Sequence, residues 1–176
     1  MLASTKTKLL PDGSDFRAIN PKGYVPMLEL DDGQRLTEGA AIVQYIADLA
    51  PTSGLAPANG TMARYRLQEW LHFIGSELHK AGFGVFFNPT SNDEFRTVMR
   101  ERLHGRLRWV DEQLVGKTWL MGETFTVADG YLFNITHWAK PTAVDLTPYP
   151  QLLAWRERVA ARSAVQAAMK AEGLLG

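Results

Sequence analysis

Polar positions dominate the first part of the chain, and apolar positions become regular only after them. Residues 1–20 are polar and rich in Pro, Gly, Asp and Asn, which indicates a loop with at most a short helical turn. Residues 24–30 then favour a strand, 31–33 (Asp-Asp-Gly) a tight turn, and 34–36 a returning strand. The pattern therefore predicts a β-hairpin.

The positions after the hairpin change to helical spacing. Thr37 is a candidate cap for a helix over residues 38–50, whose apolar positions recur three and four residues apart: Ile42, Val43, Ile46 and Leu49. Pro51 ends this pattern, and five of the ten residues in 51–60 are Pro, Gly or Asn. The domain boundary is therefore predicted in this linker, between domains at 1–52 and 61–176.

Helical periodicity accounts for nearly all of the second domain. Five helices are predicted: at about 61–82, at about 93–114, from Thr126, after Pro150 and after Ser163. The apolar face of the first contains Leu67, Trp70, Leu71, Ile74 and Leu78. That of the second contains Phe95, Val98, Met99, Leu103, Leu107, Val110 and Leu114.

Composition excludes several classes of function. Nineteen basic and nineteen acidic side chains cancel, so the charge balance favours neither nucleic acid nor an anionic membrane as a partner. No apolar run approaches the roughly 18 residues of a membrane span, and the first residues lack the apolar stretch of a secretion signal. A cytoplasmic protein is therefore expected.

Cysteine is absent from all 176 residues, which excludes a disulfide, a zinc–thiolate site or a cysteine nucleophile within them. His72 and His79 are seven residues apart, about 10 Å along one helix, which is too far for two ligands of one metal ion. We therefore expect no metal site. Thr126 and Asp129 have the spacing of a capping box, which is a structural motif rather than a catalytic one.

Several segments together resemble the glutathione transferases. These are residues 20–26 (Asn-Pro-Lys-Gly-Tyr-Val-Pro), 36–42 (Leu-Thr-Glu-Gly-Ala-Ala-Ile) and 125–129 (Phe-Thr-Val-Ala-Asp). Trp70, residues 77–80 and residues 149–155 are similar to the bacterial beta class. Each motif is weak by itself, but together they keep the family's order and spacing over nearly the whole chain.

The resemblance implies a mostly α fold, with a truncated thioredoxin-like α/β fragment followed by an all-helical glutathione transferase C-terminal domain. By that comparison the chain begins after the second strand of the thioredoxin-like domain. The first strand–helix–strand would be missing, and with it the catalytic cysteine of the beta class. The glutathione-binding part of the fragment would largely remain.

The same resemblance assigns glutathione-binding roles in residues 1–52. The Val25–Pro26 bond is expected to be cis, with the Val25 backbone paired to the cysteinyl unit of glutathione. Glu38 would accept from the ligand's ammonium, and the Gly39 N–H would donate to its α-carboxylate. A glutamate that only caps the helix is the alternative for Glu38. Lys8, or else Lys22, would reach the glycyl carboxylate, unless both are ordinary surface lysines.

The resemblance also assigns residues in the helical domain. His79 corresponds to a histidine that faces the cysteine sulfur and the cleft, so a supporting catalytic role is expected. His72 occupies a position where relatives often have asparagine, and Lys80 follows His79 in the same motif; both are candidate glutathione ligands. For His72, a histidine at the edge of the core is the alternative.

The implied function is glutathione transfer to a small hydrophobic electrophile, or glutathione-dependent thiol chemistry, in detoxification. Glutathione would be the co-substrate, and the expected assembly is a homodimer. If the segment with the cysteine is missing, as the resemblance implies, low activity is expected from this form. The alternative is a non-catalytic binding or interaction protein that keeps the fold.

Overall fold

Two units, divided between Ile46 and Ala47, make up the chain in the computed structural model, which describes residues 7–174. The first unit holds the predicted hairpin. Strand β1 (Met27–Glu29) pairs antiparallel with strand β2 (Arg35–Thr37), with Leu28 opposite Leu36. The turn between them closes through bonds between Leu30 and Gln34 and between Gly33 and Leu30, both 2.9 Å.

Strand β1 is shorter than the predicted strand at 24–30, because it begins only after Pro26, whereas β2 keeps its predicted length and is shifted by one residue. Proline has no N–H to give to a ladder, and the Tyr24 carbonyl is already bonded to the Asn20 side chain at 2.8 Å. Thr37 was predicted to cap the following helix, and this is wrong. Thr37 ends β2 opposite Met27, and the Glu38 carbonyl accepts the first helical bonds, from the Ala41 and Ile42 N–H groups.

Helix α1 (Gly39–Leu49) follows Glu38. Its residue Ile42 is buried, together with Phe16 of a short 3₁₀ turn (Phe16–Ala18). Ile46 belongs to the same predicted apolar face but is 48% exposed, and Leu49, which lies beyond the division between the units, is 67% exposed. The first unit therefore has only a small buried interior in its described part.

The second unit is helical, as predicted, but its first predicted helix is divided. Helix α2 (Met62–Phe73) continues into a π-helical segment (Ile74–Lys80) and then a 3₁₀ turn (Phe83–Phe87). Helices α3 (Asp93–Gln113), α4 (Val127–Thr136), α5 (Pro150–Ala160) and α6 (Ser163–Ala171) follow. Shorter 3₁₀ turns lie at Pro51–Ser53, within the predicted linker, and at His137–Ala139.

The core of the second unit follows the predicted helical faces closely. Its largest fully buried side chains include Trp155, Phe83, Leu67, Leu71, Ile74, Leu78, Leu103, Leu107 and Leu132. The exception is the start of α3, where Phe95 and Val98 were predicted to be buried but are 45% and 58% exposed. Periodicity identifies an apolar stripe, but not how far along the helix a packing partner extends.

Asp129 links three segments of the second unit. The predicted capping box is present, and the Asp129 carboxylate accepts from the Thr126 N–H at 2.9 Å. It also accepts from the Leu120 N–H at 2.9 Å and from the Trp155 Nε1–H at 3.0 Å. Since Asp129 is fully buried, these donors replace the water that a carboxylate otherwise requires.

Within residues 7–174, no helix is both long enough and apolar enough to cross a membrane.

Candidate functional site

The loop before β1 is organised by one buried asparagine. Asn20 is 4% exposed; its Nδ2 donates to the Tyr24 carbonyl, and its Oδ1 accepts from the Lys22 N–H at 3.3 Å. Gly23 has a φ of 64°, a conformation that favours glycine. The Val25–Pro26 bond is cis, which confirms the prediction. The sequence identified Asn20 only as part of a family motif, and its role in organising this loop was not predicted.

Val25 presents its backbone to the surface of the first unit. The residue is 53% exposed and lies outside the β1–β2 ladder. Within the described residues, neither its N–H nor its C=O has a hydrogen-bond partner. An extended peptide laid against Val25 could therefore pair with both groups, as in strand addition.

Glu38 stands at the start of α1 in an unusual conformation. Its φ is 71°, which is uncommon for a residue with a side chain. Its carboxylate Oε1 accepts from Lys22 Nζ at 2.7 Å, and the same ammonium donates to Thr37 Oγ1 at 3.0 Å. Lys22 is therefore engaged with the end of β2 and the helix start.

Gly39 is adjacent to Pro26 at the amino end of α1. A Cβ built on Gly39 would lie 3.6 Å from Pro26 Cγ, which is ordinary van der Waals contact. This places the N-terminus of an eleven-residue helix next to the exposed Val25 backbone. The N–H groups there favour an anionic ligand group.

Lys8 lies on the Tyr24 side of the same surface. Its Nζ is 5.9 Å from the centroid of the Tyr24 ring, and its carbonyl accepts from the Phe16 N–H at 2.8 Å. Lys8 forms no ion pair within residues 7–174, whereas Lys22 is paired with Glu38. Of the two predicted lysines, Lys8 is thus the better placed for a ligand carboxylate.

In the second unit, His79 lies in a cluster of aromatic rings. Its Nδ1 is 2.8 Å from the Tyr131 hydroxyl. Its ring meets the Trp138 ring edge-to-face, with centroids 4.8 Å apart, and Trp138 meets Phe87 in the same way at 5.2 Å. Phe87 is half exposed, so this cluster, consisting of His79, Tyr131, Trp138 and Phe87, reaches the surface.

The protonation of His79 follows from its surroundings. Burial lowers the pKa of the imidazole below its ordinary value of 6.5, and the neighbouring Lys80 ammonium lowers it further. His79 is therefore a neutral imidazole at pH 7. In that form it has one N–H donor and one nitrogen acceptor.

Two glycines explain why the helix does not continue past Lys80. A Cβ on Gly82 would lie 2.3 Å from the Leu78 carbonyl oxygen, and one on Gly84 would lie 2.6 Å from the His79 carbonyl oxygen. Only glycine allows the chain to fold back this closely on the π segment. A π-helical turn frequently marks a functional position in a helix. Sequence reasoning predicted a continuous helix here.

The other predicted residues of the second unit differ from His79. His72 and Lys80 are both exposed, and the His72 carbonyl accepts from Ser76 Oγ at 3.0 Å. Within the described part of the chain, no group of three or more His, Cys, Asp or Glu residues could hold a metal ion.

Beside this segment, Glu77 accepts from Arg106 and Arg102 of α3 at 2.9 and 3.0 Å. The hydrogen bond from Arg106, and after it that from Arg102, lowers the pKa of the Glu77 carboxyl. Glu77 is thus an ionised partner of α3 at neutral pH. This leaves His79 as the titratable side chain of the π segment that faces the aromatic cluster.

An open cavity of about 700 Å³ lies between α2 and α3, and one of its lining residues, Trp70, belongs to the apolar face predicted for the first helix. Trp70, Phe73 and Trp109 form its aromatic floor, with the Trp70 and Trp109 centroids 5.3 Å apart. Arg66, Glu69 and Lys117 are among its polar lining residues. Trp109 is 41% exposed, so this floor is accessible in the described chain.

Comparisons with known proteins match both parts of the chain. The family model of the glutathione S-transferase N-terminal domain matches residues 5–49, and that of the glutathione S-transferase C-terminal domain matches residues 76–163. Glutathione S-transferase GstA of Escherichia coli O157:H7 is 43% identical over 167 residues, which are 95% of this chain and 83% of that protein.

Solved structures agree with this match. A bacterial beta class glutathione S-transferase from Sphingomonas chungbukensis is 44% identical, with a TM-score of 0.92, over 98% of this chain and 85% of its own. A sphingomonad glutathione S-transferase, solved in complex with glutathione, is 44% identical with a TM-score of 0.91, over 97% of this chain and 85% of its own.

Proposed function

Because the chain belongs to the glutathione S-transferase family, we propose that its first unit binds glutathione and that the protein uses glutathione as a co-substrate. The observation that carries the proposal is the exposed Val25 backbone, unpaired within residues 7–174, next to the N-terminus of α1. Glutathione is a peptide with an amide backbone and two carboxylates. This surface offers groups complementary to each of these.

Each part of glutathione has a proposed partner. The Val25 N–H and C=O pair with the cysteinyl unit. The γ-glutamyl end lies at the start of α1, where Glu38 accepts from its ammonium and the Gly39 N–H donates to its α-carboxylate. Lys8 binds the glycyl carboxylate. Lys22 is already bonded to Glu38, so it orients the Glu38 carboxylate rather than binding the ligand.

The proposed reaction joins the glutathione sulfur to a small hydrophobic electrophile. The thiol loses its proton to solvent and the sulfur bonds to the electrophilic carbon; from an aryl halide, the halide leaves with its electron pair. His79 is the proposed supporting residue, and the rings of Trp138 and Phe87 suit an apolar electrophile. Lys80 and His72 stay predicted glutathione ligands.

Calorimetry on Glu38→Ala tests the binding proposal. Losing a charge-assisted hydrogen bond typically costs about 1.5–3 kcal/mol, so the dissociation constant should rise about 10- to 150-fold. Glu29→Ala is the matched control, because Glu29 is also an exposed glutamate in a 2.7 Å ion pair, with Arg35. Equal affinity of Glu38→Ala and the parent chain would place the glutathione site elsewhere.

A non-catalytic binding protein is the second candidate, and the absence of cysteine from the 176 residues favours it. Without a cysteine, these residues supply no thiolate for thiol exchange. We expect conjugation of glutathione to an aryl halide at a small fraction of the rate of the family's cysteine-containing members. A rate equal to that of such a relative, measured at the same protein concentration, would contradict this expectation.

A homodimer is proposed from the exposed surfaces. Within residues 7–174, β1 pairs only with β2, so its other edge is open to another chain. Tyr24 and Val25 beside that edge are both more than half exposed. Light scattering at micromolar concentration should show a dimer or larger assembly, and a monomer would refute it. The cytoplasmic location stays a prediction.

A further inference from the structure

We propose that Tyr131 is a positioning residue for His79: its hydroxyl donates to His79 Nδ1 and thereby places the single ring proton on Nε2. The proposal rests on the proposed role of His79 in glutathione chemistry. It assigns a function to a tyrosine 52 positions away in the sequence, on a different helix.

The geometry holds the two side chains in one arrangement. The Tyr131 oxygen is 2.8 Å from His79 Nδ1, and the two rings are nearly perpendicular, at 83°, with centroids 5.9 Å apart. Trp138 approaches the imidazole edge-to-face at 79°. A Cβ on Gly75 would lie 3.5 Å from the Tyr131 oxygen, so the backbone of the π segment also flanks the hydroxyl. The imidazole therefore has little freedom to rotate.

We assign the direction of the hydrogen bond from the chemistry of its partners. A phenol is a good donor, and the unprotonated nitrogen of an imidazole is a good acceptor. Because His79 is neutral at pH 7, it has one such nitrogen. When Tyr131 donates to Nδ1, that nitrogen is the acceptor and the proton resides on Nε2.

This arrangement restricts what His79 can do. With Nδ1 occupied and Nε2 protonated, the neutral ring donates a hydrogen bond and has no free nitrogen to take a proton. His79 is thus suited to stabilising a negative charge on sulfur or on a leaving group, and not to acting as a general base. The pKa of His79 is also affected by Lys80 on its own segment, whereas Glu77 is bonded to the arginines of α3.

The test is the titration of His79 by NMR in the ¹⁵N-labelled full chain and in Tyr131→Phe. Donation to Nδ1 stabilises the neutral ring, so removing the hydroxyl should raise the pKa of His79 by about 0.5–1. In the parent chain at pH 8, the proton should be found on Nε2. A fall in the pKa would show that Tyr131 accepts from Nδ1–H, and an unchanged pKa would show that the bond has no effect; either result overturns the proposal.

Tyr149→Phe is the matched control, because Tyr149 forms the other histidine–tyrosine pair of the second unit, with His104 Nδ1 at 2.6 Å. This variant also removes one hydroxyl but should leave the titration of His79 unchanged. Near-ultraviolet circular dichroism checks that both variants are folded.

Calorimetry with glutathione separates this proposal from the proposed function. Tyr131→Phe should bind glutathione as the parent chain does, with a several-fold lower conjugation rate. Equal rates in the two chains would overturn the catalytic part of the proposal. If the parent chain binds no glutathione, the proposed function fails, but the titration still decides whether Tyr131 positions the imidazole proton.

Discussion

The two units carry their candidate functional groups in opposite ways. In the first unit the groups proposed to bind the ligand are largely backbone: Val25 and the amino end of α1, supported by the buried Asn20. In the second unit they are side chains, with His79, Tyr131 and Trp138 on segments that pack around a large core. Recognition and chemical support thus depend on different physical features.

The two units also differ in the size of their buried cores, and therefore in how they should respond to substitutions. Phe16 and Ile42 are the buried apolar side chains of the described part of the first unit, so burial contributes little to its stability. The second unit buries whole faces of four helices and satisfies its buried carboxylate completely. Substitutions should therefore affect folding in the second unit and ligand binding in the first.

The largest effect is expected from Asp129→Ala. The substitution removes the acceptor of buried donors on three residues, Leu120, Thr126 and Trp155, and should lower the free energy of unfolding by about 3–5 kcal/mol. Urea denaturation measures this. Asp12→Ala, at an exposed turn of the first unit, is the control and should lower the free energy of unfolding far less. Similar losses in the two variants would remove the distinction between the units.

Amide exchange sharpens the same comparison without any substitution. We expect the amides of β1 and β2 to exchange at least about 100-fold faster than those of α4 and α5, since exposed hydrogen bonds over a small core open more easily. Excess glutathione should slow exchange in the strands by mass action while the helices change little. Equal protection in strands and helices of the free protein would show that the first unit does not open separately.

Much of the fold could be predicted because the signals are local. The starts of α3 after Asn92 and of α5 at Pro150 follow from a side-chain cap and a first-turn proline, respectively. The capping box at Thr126 depends on residues three apart. The cis bond before Pro26 was implied by the family resemblance, since by itself a proline is usually trans.

What could not be predicted depends on contacts between distant residues. The π segment ends where Gly82 meets the Leu78 carbonyl, and nothing in the helical spacing indicates this approach. The hydrogen bond between His79 and Tyr131 joins two helices, and nothing in the sequence near either residue indicates that the two are partners. Glu38 at the N-cap has a positive φ that is unusual for glutamate, so propensity favoured Thr37 instead.

A smaller effect is expected from adding a side chain at Gly39, at the amino end of α1. Gly39→Ser places a hydroxyl at the amino end of α1, and its Cβ has room, at 3.6 Å from Pro26 Cγ. One added hydrogen bond to the glutamyl carboxylate should tighten glutathione binding about 2- to 10-fold in calorimetry. Gly39→Ala adds the Cβ without the hydroxyl and should show no such gain. Weaker binding by the serine variant would indicate that the carboxylate does not lie there.

The smallest expected effect is a pH dependence due to His79. Burial and Lys80 hold its folded pKa below 6.5, so well above that pH the group is neutral in both folded and unfolded chains and contributes no pH dependence. As the pH falls below 6.5, the unfolded chain takes up the proton first, which favours unfolding until the folded pKa is passed. Because the ring is only half buried, solvent screening limits the loss to less than about 1 kcal/mol.

The measurement is the difference in unfolding free energy between the parent chain and His79→Gln from pH 8 to 5. As the pH falls, the parent chain should lose unfolding free energy relative to His79→Gln. A constant difference would contradict the lowered pKa.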